Sequence, residues 1–293
     1  MIGEPVCSVQ ALSAHHPCTV HAVNALRLRK VVRARHGRHG EGVVRIDLWG
    51  VVSVTVTGGR GAPPAGRAAD LLACLGWQPD ELVRDEVLID RIWADELPDD
   101  PRDALYTCAK RLRRALTLSG ADPVVLERGR SGYALRVAPE QVDVHRFRGL
   151  TRDARDSEEP AQRAFLYGRA IRTAQGTPMA GFDSPWAERV RQALSRELLV
   201  AQLGSASAWM TLGCQRELTA TLTELTVEHP LNEAVAGLLM EALERAGQPN
   251  EALREFARIR EELRQRLGVA PGPELQARFA QLLAAAPRTG AAA

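Results

Sequence analysis

The chain has 293 residues, 45% of them hydrophobic, 25% charged and 4% aromatic, with a formal net charge of +2. That length suits two domains and the composition is that of an ordinary folded protein, which excludes low-complexity and fibrous classes. No run of about 18 apolar residues is present to span a membrane, and five cysteines without a CxxC pair argue against a disulfide framework and for a reduced, cytoplasmic chain.

Residues 1–42 read as a flexible basic arm. Arg27, Arg29, Lys30, Arg33, Arg35 and Arg38 face only Glu4 and Glu41, a local net charge of +4. Cys7, His15, His16 and Cys18 match no standard ligand spacing, so no metal is expected. From Val43 apolar and polar residues alternate: Val44, Ile46 and Leu48, then Val52, Val54 and Val56, predict two strands. Leu71, Leu72 and Leu75 predict a helix over about 67–77, and Val87, Leu88, Ile92 and Trp93 a second over about 84–94. A third is predicted over 101–118, with Asp100 as N-cap, Pro101 at the first helical position and Leu105, Ala109, Leu112 and Leu116 as its apolar stripe. Val124-Val125-Leu126 and Tyr133 to Val137 then flank the turn Arg128-Gly129-Arg130-Ser131-Gly132, which predicts a β-hairpin. Strands, three helices and a terminal hairpin make a winged helix-turn-helix of the OmpR/PhoB type.

Beyond Asp143 the pattern is helical to about Leu283. Gly213 and Gly247, Glu217 and Glu251, and Leu225 and Ile259 repeat at a spacing of 34, the length of a tetratricopeptide unit. The expected fold class is therefore mainly α with a small α+β N-terminal domain: a winged helix over 43–142, a tetratricopeptide-like helical domain over 143–286, and a tail over 287–293.

The third helix carries the strongest functional signal. Its outer face holds Arg102, Tyr106, Thr107, Lys110, Arg111, Arg113, Arg114 and Thr117, and cations of this density neutralise phosphate or fork onto guanine edges. Arg128 and Arg130 flank Gly129 at the hairpin tip, where a wing reaches the neighbouring groove or backbone. Residues 101–137 have a net charge of +5 and residues 78–100 a net charge of −7, so one side attracts phosphate and the other repels it. The acidic stretch includes Asp95, Glu96 and Asp99, exposed candidates for a basic protein partner. No phosphate-binding loop, dinucleotide fingerprint, HExxH or GxSxG elbow is present, so no enzyme and no cofactor is expected. Cys108, beside Arg111, reads as a packing residue rather than an activated thiol.

Several runs together resemble the SARP family, the antibiotic regulatory proteins of actinobacteria. They are Asp70 to Leu75, Asp85 to Trp93, Ala104-Leu105 with Lys110 to Leu116, Gly132 to Leu135, Val142 to Phe147, Gly181 to Ala187 and Leu267 to Leu275; the last two are similar to signatures of the bacterial transcriptional activator domain. The resemblance implies an activator of a secondary-metabolite gene cluster. It would bind direct repeats of promoter DNA near the −35 element as two or more copies and contact RNA polymerase and its sigma factor. It also assigns Thr107, Lys110, Arg111, Arg113 and Arg114 to the recognition helix, and makes Asp95, Glu96 and Asp99 the expected polymerase contact. This chain departs from the pattern at Val83, where a capping Ser or Thr is usual, and at Lys110, where a small polar residue is common. The protein would be cytoplasmic and nucleoid-associated when bound to DNA. The alternative is a protein-interaction adaptor in which the helical array is the working part and DNA binding is vestigial; a basic helix plus a basic wing argues against it.

Overall fold

Two antiparallel strands, β1 (Val44–Asp47) and β2 (Ser53–Val56), open the fold, in register with Val44 opposite Val56 and Ile46 opposite Val54. The computed structural model describes residues 43–57, 64–122 and 125–285; the expectations for residues 1–42 and 287–293 fall outside them. Three helices follow, α1 (Arg67–Gly76), α2 (Asp85–Trp93) and α3 (Pro101–Leu118). The bounds of α3 are those expected, because Asp100 caps it: its carboxylate accepts from the backbone N–H groups of Arg102 and Asp103 at 3.0 Å each. Leu105, Ala109, Leu112 and Leu116 are all buried.

The wing has one strand more than the sequence expectation. Between α1 and α2 lies a further short strand, β3 (Leu82–Arg84), and the hairpin strands β4 (Leu126–Arg128) and β5 (Gly132–Leu135) join it in the order β3-β5-β4. Three residues, of which only Val83 is buried, are too few for a period to show in sequence. Val83, buried at 4% exposure, faces inward as part of this strand rather than capping α2. The α2 start is instead closed by the wing: the Asp85 N–H donates to the Ser131 carbonyl at 2.8 Å. Gly132 permits this, since a Cβ there would lie 2.0 Å from the Val83 carbonyl oxygen.

Seven helices complete the described chain: α4 (Asp143–Asp156), α5 (Pro160–Thr173), α6 (Pro185–Thr211), α7 (Gln215–Glu228), α8 (Glu233–Arg245), α9 (Pro249–Leu267) and α10 (Pro273–Ala285). The 34-residue spacing corresponds to a repeated helix-turn-helix. Gly213 and Gly247 end the turns before α7 and α9 with φ of +83° and +79°, where a side chain would be strained, and Leu225 and Ile259 occupy matching buried positions. The molecule is thus mainly α, a winged helix-turn-helix followed by a tetratricopeptide-like array.

The hydrophobic core does not break where the helical segment begins. One continuous cluster runs from Val44 to Ala201, and two smaller ones fill the distal array. Polar contacts reinforce this. Asp143, 2% exposed at the start of α4, accepts from the backbone N–H of Leu48 at 2.9 Å and of Trp49 at 2.8 Å. The loop after α5 continues the first sheet, with Met179 N–H donating to the Leu48 carbonyl at 2.7 Å and Ala180 N–H to that of Gly50 at 2.9 Å. Arg148 forms a two-bond ion pair with Glu197, both at 2.8 Å, and lies over the Trp77 ring at 4.4 Å. His145 Nε2 lies 3.2 Å from the carbonyls of both Gly76 and Trp77, so it carries the proton and donates; burial, aided by Arg148, holds its pKa below the usual value.

Burial pushes the Asp143 carboxyl up to about 6, against the pull of its backbone donors. A raised carboxyl pKa favours the fold below the unfolded value and loses that contribution as pH rises through 6. Wild type is therefore expected to gain stability relative to Asp143→Asn as pH falls from about 7 to 4, by at most about 3 kcal/mol, read by urea denaturation. Asp143→Ala, which orphans two buried N–H groups, is expected to cost about 2–4 kcal/mol at neutral pH. A pH-independent gap between wild type and Asp143→Asn would rule out the buried carboxyl as the titrating group.

Candidate nucleic-acid interface

The surface in question is built on α3. With Leu105, Cys108, Ala109, Leu112 and Leu116 buried against the rest of the winged helix, the remaining positions must face out. Tyr106, Lys110, Arg111, Arg114 and Thr117 are exposed, with Thr107 and Arg113 half-buried at the edges. Among the described residues, Lys110, Arg111 and Arg114 have no carboxylate partner, and neither does Arg130 on the wing. The contrast with α9 is instructive. There Arg254, Arg258, Arg264 and Arg266 each pair with a glutamate three or four residues away. Lys110, Arg111 and Arg114 have no such neutralisation and repel one another until a counter-charge arrives.

Tyr133, 2% exposed on β5, joins helix and wing. The guanidinium of Arg128 lies 4.4 Å from its ring centroid and that of Arg113 5.9 Å, so both cations share one aromatic ring. Burial raises the tyrosine pKa and keeps the phenol neutral.

Arg128 stands in different surroundings from those the sequence suggested. Instead of projecting from the wing tip it forms a bidentate pair with Asp85, the first residue of α2, at 2.5 and 2.8 Å. That hydrogen bonding raises the pKa of Arg128. Its charge is committed to fastening the wing to α2, which leaves Arg130 as the cation nearest the tip. Arg102, too, has a partner, the exposed Glu86 at 3.2 Å. Neither pair was visible in sequence, since the partners lie 43 and 16 positions apart. Cys108 is buried, and burial pushes its thiol up despite Arg111.

A family model described as the bacterial transcriptional activator domain matches residues 142–283, the segment that folds into α4 to α10. Regulatory protein AfsR of Streptomyces coelicolor is 33% identical over 84% of this chain and 25% of its own length. Transcriptional regulator RedD of the same species is 29% identical over 97% of this chain and 86% of its own. A solved structure of Mycobacterium tuberculosis EmbR in complex with low affinity phosphopeptide matches at TM-score 0.78 and 25% identity, over 83% of this chain and 66% of that one. The chain is similar to the SARP family of regulators. It spans only a quarter of the length of AfsR. No helix among the described residues is long and apolar enough to cross a membrane.

The acidic stretch before α3 is divided by the fold into two parts. Asp80 is paired with Arg136, Asp85 with Arg128 and Glu86 with Arg102, while Asp100 caps α3. The exposed Asp95, Glu96 and Asp99 have no cationic partner among the described residues. They lie beside Leu97, 56% exposed, in the loop between α2 and α3.

The two wing arginines are accordingly expected to separate in a stability measurement. Arg128→Ala, which unpairs Asp85 and uncovers Tyr133, is expected to cost about 1–2 kcal/mol, less than a fully buried pair because the guanidinium is partly solvated. Arg130→Ala is expected to stay within about 0.5 kcal/mol of wild type. Equal urea midpoints for the two variants would rule out Arg128 as the fastening of the wing.

Proposed function

We propose that the protein is a sequence-specific DNA-binding transcriptional activator of a secondary-metabolite gene cluster. Residues 43–142 serve as the DNA-binding unit and residues 143–286 as the activator domain. The observation that carries the reading is the set of unneutralised cations on α3, Lys110, Arg111 and Arg114, with Arg130 alongside on the wing. A helix of this kind fits the major groove of B-DNA. In this reading Thr107, Lys110, Arg111 and Arg113 face base edges, and Arg102, Arg114 and Arg130 meet phosphates. Arg128 acts indirectly, by holding the wing. Promoter DNA with direct repeats near the −35 element is bound by two copies, and RNA polymerase with its sigma factor is recruited there. The names of the relatives, regulatory protein and transcriptional regulator, are in keeping with this. A vestigial DNA-binding domain on an adaptor gains nothing from leaving cations unpaired, whereas phosphate binding requires it.

Gel shifts against duplexes from the upstream regions of neighbouring genes test the reading. With about 4–6 phosphate contacts per protomer, log K is expected to fall with log salt at a slope of about −4 to −5. Arg111→Ala is expected to cost about 1–3 kcal/mol on the preferred duplex if it forks a guanine, and Arg130→Ala to weaken all duplexes alike. A flat salt response, with both variants equal to wild type, would exclude this face as the DNA-binding surface.

The acidic loop is assigned to the polymerase. Asp95, Glu96 and Asp99, exposed in the loop before α3, would complement a basic surface. The double variant Asp95→Ala, Glu96→Ala is expected to keep its gel-shift affinity and to lose run-off transcription with purified polymerase; Asp100 is left intact because it caps α3. Unchanged transcription at saturating protein would sink the polymerase contact and leave the DNA-binding assignment standing.

A further inference from the structure

The sequence contains thirteen aromatic residues, five Phe, five Trp and three Tyr, all of them among the described residues. Twelve are buried or half-buried; Tyr106 alone is exposed, at 57%. It does not lie on a neutral stretch of surface. It occupies the first half of α3, one turn before Lys110 and just under two turns before Arg113, on the flank of the helix that turns toward the Tyr133 ring shared by Arg113 and Arg128. An aromatic ring there adds no charge to attract phosphate, and no hydrogen bond or ring contact holds it within the described protein. In a helix-turn-helix it is the N-terminal part of the recognition helix that approaches base edges.

We infer that Tyr106 is a specificity-determining residue that reads thymine through its 5-methyl group. The inference rests on the DNA-binding assignment above and adds to it an apolar element. The thymine methyl is the one apolar group that a base pair presents in the major groove, and a side chain packed against it distinguishes A·T from the other pairs without a hydrogen bond. The ring of Tyr106 supplies such a surface, with cations on either side that fix the backbone at the right distance. Lys110 and the arginines prefer acceptor-rich guanine edges, so a site read by this helix combines guanine contacts with at least one obligatory thymine per protomer. Burying one methyl group against the ring corresponds to about a fourfold change in affinity.

The test removes the methyl from the DNA and the ring from the protein separately. The full-length protein is used to select duplexes from a pool of randomised sequence, and each thymine of the enriched site is replaced in turn by uracil, which lacks only the 5-methyl. Wild type and Tyr106→Phe are expected to lose about fourfold in affinity at one such position. Tyr106→Ala is expected to bind the thymine and uracil duplexes equally at that position, and to retain its thermal transition because the side chain is exposed. An enriched site at which no uracil replacement affects wild type more than Tyr106→Ala overturns the assignment while the DNA-binding function stands. A pool from which nothing is enriched removes both.

Discussion

The carboxylate of Asp143 sits at the centre of this structure. It is buried where the helical segment begins, and two consecutive backbone N–H groups, those of Leu48 and Trp49, have no other strong acceptor at the end of the first strand. Burying an ionised group is costly unless donors surround it, so the site is favourable only when α4 is docked against the first sheet. The paired backbone of Met179 and Ala180 with Leu48 and Gly50 extends the same sheet from the other side. As a result the winged helix and the first three helices behind it share one core rather than meeting at a soft interface. An interface of that kind leaves no room for independent swivelling. Helices α4 to α6 therefore pack in one core with α3, and the distal helices join that core through α6.

Charge is distributed with similar economy. The segment before α3 has far more carboxylates than its two arginines can neutralise, and the fold uses several of them internally. Asp85 anchors Arg128, Glu86 meets Arg102 and Asp100 caps α3. Asp95, Glu96 and Asp99, exposed and without a cationic partner among the described residues, lie together in the α2–α3 loop. The cations of α3 are treated in the opposite way: three of them have no counter-charge within the described residues, and Arg113 rests on an aromatic ring. Tyr133 matters here because it lets two guanidinium groups sit close to helix and wing without a carboxylate that would cancel their field. Cation–ring contacts position a charge and leave it available.

The distal array follows another logic. Its clusters around Leu222 and Ile259 are small and each depends on the adjacent helices, as expected where stability accumulates between neighbours. Four of the five arginines of α9 are paired along their own helix, so that surface is close to neutral and unsuited to phosphate. What distinguishes α3 from α9 is therefore not composition, since both are rich in basic residues, but that most α9 arginines have a carboxylate partner while Lys110, Arg111 and Arg114 have none among the described residues.

Much of this was legible in the residues. Asp100-Pro101 marks the start of α3 because capping is a local event, and the apolar stripe from Leu105 to Leu116 orients the helix because burial follows its period. The repeat through Gly213 and Gly247 is visible because both turns need a positive φ. What could not be read was every arrangement that depends on residues far apart in sequence. Strand β3 is too short to show a period and exists because β5 lies beside it, over a glycine that admits the Val83 carbonyl. Arg128 looked like a free wing cation, and its engagement with Asp85 is decided only by the docking of hairpin on helix. Tyr106 reads as one more residue of an outer face until the burial of the other twelve aromatics singles it out. The sequence by itself determined which faces are apolar and where helices begin and end, because those depend on neighbours within a few residues. Which charges stay free, and how the two halves are fixed together, was decided by the tertiary structure, because pairing a charge requires a partner that only packing brings within reach.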